Sequence, residues 1–154
     1  MATPTIVQIA EQRVALIRLT VPRAEIQQVM GPGIGELAAA LQAQGIAPTG
    51  TWFTHHLHRP TDVFDFEICL PIATPVTPVG RVTNGTISAA TVARTVYQGP
   101  YEGLAQAWAE LESWIVANGH RSAPDLLETY LIGPSASPDS STWRTQLDRP
   151  LVTA

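Results

Sequence analysis

PYEGLAQAWAELESWIVANGHRSAPDLLETYLIGP, residues 100–134, reads as one helix followed by one strand. Leu104, Trp108, Leu111 and Ile115 recur at helical spacing and form an apolar stripe, with Trp114 alongside. Gly119 ends that helix. In the strand that follows, Leu126, Glu128, Tyr130 and Ile132 share one face, while Leu127, Thr129 and Leu131 share the other. A carboxylate therefore stands among a leucine, a tyrosine and an isoleucine. Taking such a group out of water without partners is expensive, so its presence asks for a chemical reason. It can act as a general acid or base, or attract a ligand cation.

Working outward, TISAATVARTVYQ reads as the strand before this helix, and WRTQLDRPL as the strand after the polar loop SASPDSST. The first half repeats the order. Residues 6–20 form a partly alternating, β-branched run that reads as one strand. From Pro22, Ile26, Val29, Ile34, Leu37 and Leu41 recur at helical spacing until Gly45, and GPGIG predicts a kink or two shorter helices. TWFTHHLH and VFDFEICLPI follow as strands, the latter with Phe64, Phe66, Ile68 and Leu70 on one face.

Strand–helix–strand–strand thus occurs twice. Counting from the two glycines, Thr54 falls opposite Glu128 and His56 opposite Tyr130, and the final strands superpose through Pro71 and Pro150. The expectation is a single α+β domain, 1–154, built from duplicated βαββ units: repeat 1 at about 5–72, a linker at 73–84, repeat 2 at about 85–152. A pseudo-twofold axis would relate the units, giving an antiparallel sheet with helices on one face and a ligand cleft between the halves.

Composition narrows the function. The chain has 154 residues, a net charge of −4 and no lysine, which speaks against a nucleic-acid face, a lysine Schiff base or a Walker-type phosphate site. Cys69, the only cysteine, lies in an apolar strand and reads as a packed thiol in a reducing compartment. No signal peptide or membrane-spanning run is seen, so the expected location is cytoplasmic. No helix-turn-helix is expected before or after the domain.

QGPYEGLAQAWAELESWIVANG followed by LETYLIGP resembles the GyrI-like small-molecule-binding proteins, which include effector domains of multidrug-responsive regulators. Gly99, Tyr101, Trp108, Trp114, Glu128 and Tyr130 carry the likeness, and VALIRLTVP, HHLHRP and FDFEICLPI extend it more loosely into the first half. The resemblance implies a cleft lined by aromatics around one glutamate. In related effector domains that glutamate counters flat hydrophobic cations, and some free-standing relatives hydrolyse cyclopropane-bearing alkylating natural products.

Two functions follow as expectations. As a hydrolase, the protein would use Glu128 to position or activate water, with Tyr130, Tyr101 or His56 polarising the ring-opening oxygen. As a sequestering or sensing module it would hold hydrophobic cations through the charge of Glu128. The expected ligand-binding residues are Trp52, Tyr101, Trp108 and Leu126. The expected partner is a hydrophobic aromatic small molecule, bound by a monomer or homodimer with no cofactor, nucleic acid or membrane. Within HHLH, His56 and His58 would share a strand face while His55 points away, too few ligands for a metal.

Overall fold

The computed structural model describes residues 2–152. Antiparallel strands and two α-helices divide into two compact units, Ala10–Ala89 and the remaining described residues.

The Ala10–Ala89 unit contains β2 (Gln12–Pro22), α1 (Ile26–Ala43), β3 (Phe53–His56), β4 (Val63–Pro71) and β5 (Thr83–Ile87). Its strand order is β3-β4-β2-β5, every pairing antiparallel. Alternation along the strands sends Ala15, Ile17 and Leu19 of β2 and Phe66, Ile68 and Leu70 of β4 to one face, where they pack with Leu37, Ala40 and Leu41 of α1. Ile26, Val29 and Ile34 extend that contact as partly buried residues, in agreement with the helical stripe read from the sequence. Two shorter helices do not form: α1 runs unbroken through Pro32. Tertiary packing decides this. A side chain at Gly33 would collide with Ile68, whose Cδ1 lies 2.5 Å from where a Cβ would stand. The glycine lets the helix lie close against β4, and burial there offsets the hydrogen bond that Pro32 cannot donate. Beyond β4, the Pro/Thr-rich segment is strapped down by paired bonds. Gln44 exchanges two hydrogen bonds with Thr77, Asn84 two with Val76, and Arg81 binds the Glu36 carboxylate at 2.6 Å.

The other unit contains β1 (Thr5–Ile9), β6 (Ala90–Gln98), α2 (Leu104–Ala117), β7 (Leu126–Ile132) and β8 (Arg144–Pro150). Its order is β1-β6-β8-β7, again antiparallel throughout. Here Ala93, Leu126 and Leu147 meet Ala107, Trp108, Leu111 and Ile115 of α2. Each helix is followed by a glycine of positive φ, Gly45 at 70° and Gly119 at 77°, as the sequence predicts.

Two of the expected strands are each two strands. The run over residues 6–20 breaks between β1 and β2, and TISAATVARTVYQ breaks between β5 and β6. β1 leads the chain into β2 yet pairs with β6, and β5 leads into β6 yet pairs with β2. The third strand is also shorter than TWFTHHLH, since Trp52 precedes it and His58 lies past its end.

Candidate functional site

β7 supplies the centre of the site. Glu128 stands opposite Leu147 and Tyr130 opposite Thr145 on β8, so all four share a face with the α2 core. Glu128 is 9% exposed, and both carboxylate oxygens are held. The Trp108 indole Nε1–H donates to Oε2 at 2.7 Å, and the Tyr130 hydroxyl donates to Oε1 at 2.7 Å. Residues two apart on a strand share a face, which brings Tyr130 to the carboxylate; the helical stripe brings Trp108. Each charge-assisted bond contributes roughly 1.5–3 kcal/mol, which offsets the cost of removing the carboxylate from water.

The two bonds differ chemically. An indole N–H only donates, so Oε2 is fixed as an acceptor. A phenol both donates and accepts, so the Tyr130–Oε1 link can also carry a proton in the opposite sense. The site can therefore present a fixed anion or orient a polar atom at Oε1.

Aromatic rings continue outward from Tyr130. Tyr101 lies in a single 3₁₀ turn, Tyr101–Gly103, at the entrance to α2. The Tyr97 hydroxyl donates to the Pro100 carbonyl at 2.7 Å and fastens that turn to β6. The Tyr101 ring meets Tyr130 edge-on at 5.9 Å and lies 4.8 Å from Trp143 at 37°. Burial first, and the negative charge of Glu128 second, push the Tyr101 phenol above its ordinary pKa. Trp143 is itself pinned, its Nε1–H donating to the Ser137 carbonyl at 2.9 Å.

Of the expected site residues, Glu128, Tyr130, Trp108, Tyr101 and Leu126 thus fall in one unit. Leu126, 1% exposed, is packed in the α2 core. Trp52 and His56 belong to the other unit. Trp52 is partly buried against the α1 core. His56 is 3% exposed, its Nε2 is 3.1 Å from the Thr54 hydroxyl, and its ring stacks on Phe66 at 5.2 Å. His55 points to the opposite face and pairs with Glu67 at 3.0 Å. Among the described residues, no group of three or more His, Cys, Asp or Glu could hold a metal ion. Trp143 was missed by the sequence reading. Its signal was present, an aromatic one step before β8 in phase with Thr145 and Leu147.

A family model described as the GyrI-like small molecule binding domain matches residues 2–148. The chain belongs to the GyrI-like family. The C-terminal domain of EcmrR superposes with a TM-score of 0.86 at 24% identity, covering 99% of this GyrI-like chain and 98% of that one. Against the EcmrR chain in its DNA complex, the TM-score is 0.87, but this chain spans only 58% of that chain's length. A hydrolase from Listeria innocua superposes at 0.70 and 13% identity, covering 97% and 91% of the two chains. SAV2435 bound to tetraphenylphosphonium superposes at 0.70 and 14% identity, covering 98% and 94%. At these identities the likeness shows the fold. No curated protein sequence matches the chain. No helix among the described residues is long and apolar enough to cross a membrane.

Proposed function

We propose that this GyrI-like protein binds bulky aromatic cations, with Glu128 as the counter-charge and Tyr101, Tyr130 and Trp143 as the surrounding rings. One observation carries the reading: a carboxylate 9% exposed, gripped by an indole and a phenol, with an aromatic cluster beside it. A desolvated anion attracts an organic cation far more strongly than an exposed one, and aromatic faces add cation–π attraction. SAV2435, of the same fold, was captured with a hydrophobic cation, which favours this ligand class. The shared internal strand order of the two units favours an origin by duplication. Lone, buried Cys69 fits a reducing, cytoplasmic setting, where sequestering such compounds would detoxify them.

The Tyr130–Glu128 hydrogen bond favours a second reading, hydrolysis of a cyclopropane-bearing electrophile. Glu128 would take a proton from water as the water oxygen bonds to a ring carbon. The electron pair of the broken C–C bond would pass to a conjugated carbonyl oxygen, which then takes up a proton. The experiment that tests both readings incubates the protein with tetraphenylphosphonium and, separately, with a cyclopropane-bearing alkylator, measuring affinity and recovered mass. Tight binding of the phosphonium with both compounds recovered unchanged supports binding alone. A product heavier by one water over many turnovers supports the hydrolase, and neither binding nor product refutes both.

A further inference from the structure

Thr145 is the buried polar group that the account so far leaves unused. It is 0% exposed, and among the described residues its hydroxyl oxygen has no hydrogen-bond partner. Its place in the sheet is well defined. Thr145 is paired with Tyr130 on one side and Tyr97 on the other, and directly opposite residues in antiparallel strands project to the same face. Trp143 lies two residues along in the same phase, with Tyr101 against it. Thr145 is therefore at the floor of the ring cluster beside Glu128.

A buried hydroxyl with no partner costs about 1–3 kcal/mol, and valine would fill the same volume without that cost. The Tyr97 hydroxyl is committed to Pro100 and the Tyr130 hydroxyl to Glu128, so neither supplies the missing bond in this arrangement. A hydrogen-bonding atom that enters between the rings would supply the missing bond.

We propose that Thr145 determines specificity at this site: its hydroxyl pairs with a hydrogen-bonding atom of the ligand, so aromatic cations bearing a hydroxyl or amino group bind better than all-hydrocarbon ones. This rests on the cation-binding reading above and sharpens its ligand class. Thr145 sets which substituents are welcome, while Glu128 sets the charge.

The test compares tetraphenylphosphonium with the ortho, meta and para isomers of (hydroxyphenyl)triphenylphosphonium. Affinities are measured by calorimetry for the full chain and for Thr145→Val and Thr145→Ser. At least one hydroxylated isomer binds the parent about tenfold more tightly than tetraphenylphosphonium, in line with one added hydrogen bond. In Thr145→Val that preference vanishes while tetraphenylphosphonium affinity stays within about twofold, and Thr145→Ser restores it. Thermal unfolding separates a structural role. Thr145→Val melts at or above the parent temperature if its hydroxyl is unpaired in the free protein. A lower melting temperature, a preference retained in Thr145→Val, or no preference for any isomer in the parent overturns the proposal. If tetraphenylphosphonium itself fails to bind the parent, the cation-binding reading falls and this inference with it, a result distinct from a lost preference.

Discussion

Replacing Trp108 with phenylalanine removes an indole donor from Oε2 of Glu128. The indole donor at 2.7 Å is lost, and the smaller ring leaves a void among Leu111, Ile115, Leu126 and Leu147. A charge-assisted bond to a buried carboxylate contributes roughly 1.5–3 kcal/mol, and the void adds about 1 kcal/mol. The expected loss is therefore about 3 kcal/mol, a fall in melting temperature of roughly 6–12 °C for a chain of this size. Packing and hydrogen bonding are separated by a double-mutant cycle with Glu128→Gln, read by urea unfolding followed through far-UV circular dichroism. Glutamine keeps the shape of the side chain but not its charge, so the indole bond becomes an ordinary neutral one. The two substitutions should then be coupled by about 1–2 kcal/mol. A coupling below about 0.3 kcal/mol would mean that Trp108 acts only as a space-filler, and the account of how the carboxylate is held would be wrong.

Other predictions concern ionisation and access. Tyr101 keeps its proton more tightly in the folded protein than in the unfolded chain, through burial and then the charge of Glu128. Its contribution to stability is thus complete below about pH 10 and is lost as pH rises through the raised value; ultraviolet titration should show a late phenol that disappears in Tyr101→Phe and moves part-way back in Glu128→Gln. Asp65 is lowered by hydrogen bonds from Arg18, with burial opposing and the Arg18 charge assisting, so its contribution is present above about pH 4 and is lost as pH falls through the lowered value. The pair is partly solvated, and Asp65→Asn should cost less than about 1 kcal/mol while flattening the acid limb of the stability profile. The Cys69 thiol is fully buried and pushed well up, by burial first and by Glu67 second. Alkylation in native buffer should be slower than in urea by roughly a thousandfold or more, and rapid native labelling would show that β4 opens readily.

Residues with a single face and a period were legible in the sequence. The α2 stripe, the α1 stripe and the alternation in β4 appear as read, because burial on one side leaves a period that composition cannot hide; in β7 the read alternation runs from Leu126 to Tyr130, and the register shifts before Ile132. Glu128 stood out for the same reason, as the one charge out of place in that pattern. What the sequence concealed has a physical cause in each case. The breaks between β1 and β2 and between β5 and β6 fall at Ala10–Glu11 and at Ser88–Ala89, with no proline or glycine to mark them. Gly31 and Pro32 look like a helix break, but contact with Ile68 across Gly33 overrides that local preference. The indole bond to Glu128 joins residues twenty positions apart on different elements. Trp143 declares itself only when Tyr101 is seen against it. Thr145 reads as an ordinary strand threonine until its hydroxyl is found without a partner.

The central claim, that Glu128 is there for its charge, is tested most directly by titrating the parent and Glu128→Gln with tetraphenylphosphonium and with neutral triphenylphosphine oxide. A cation about 5 Å from the carboxylate at an effective dielectric near 20 gains roughly 3 kcal/mol, part of which is returned as desolvation. The account predicts that Glu128→Gln binds the phosphonium about 10- to 100-fold more weakly and the neutral oxide within about twofold of the parent. Equal losses for both ligands, or no loss for the cation, would contradict it.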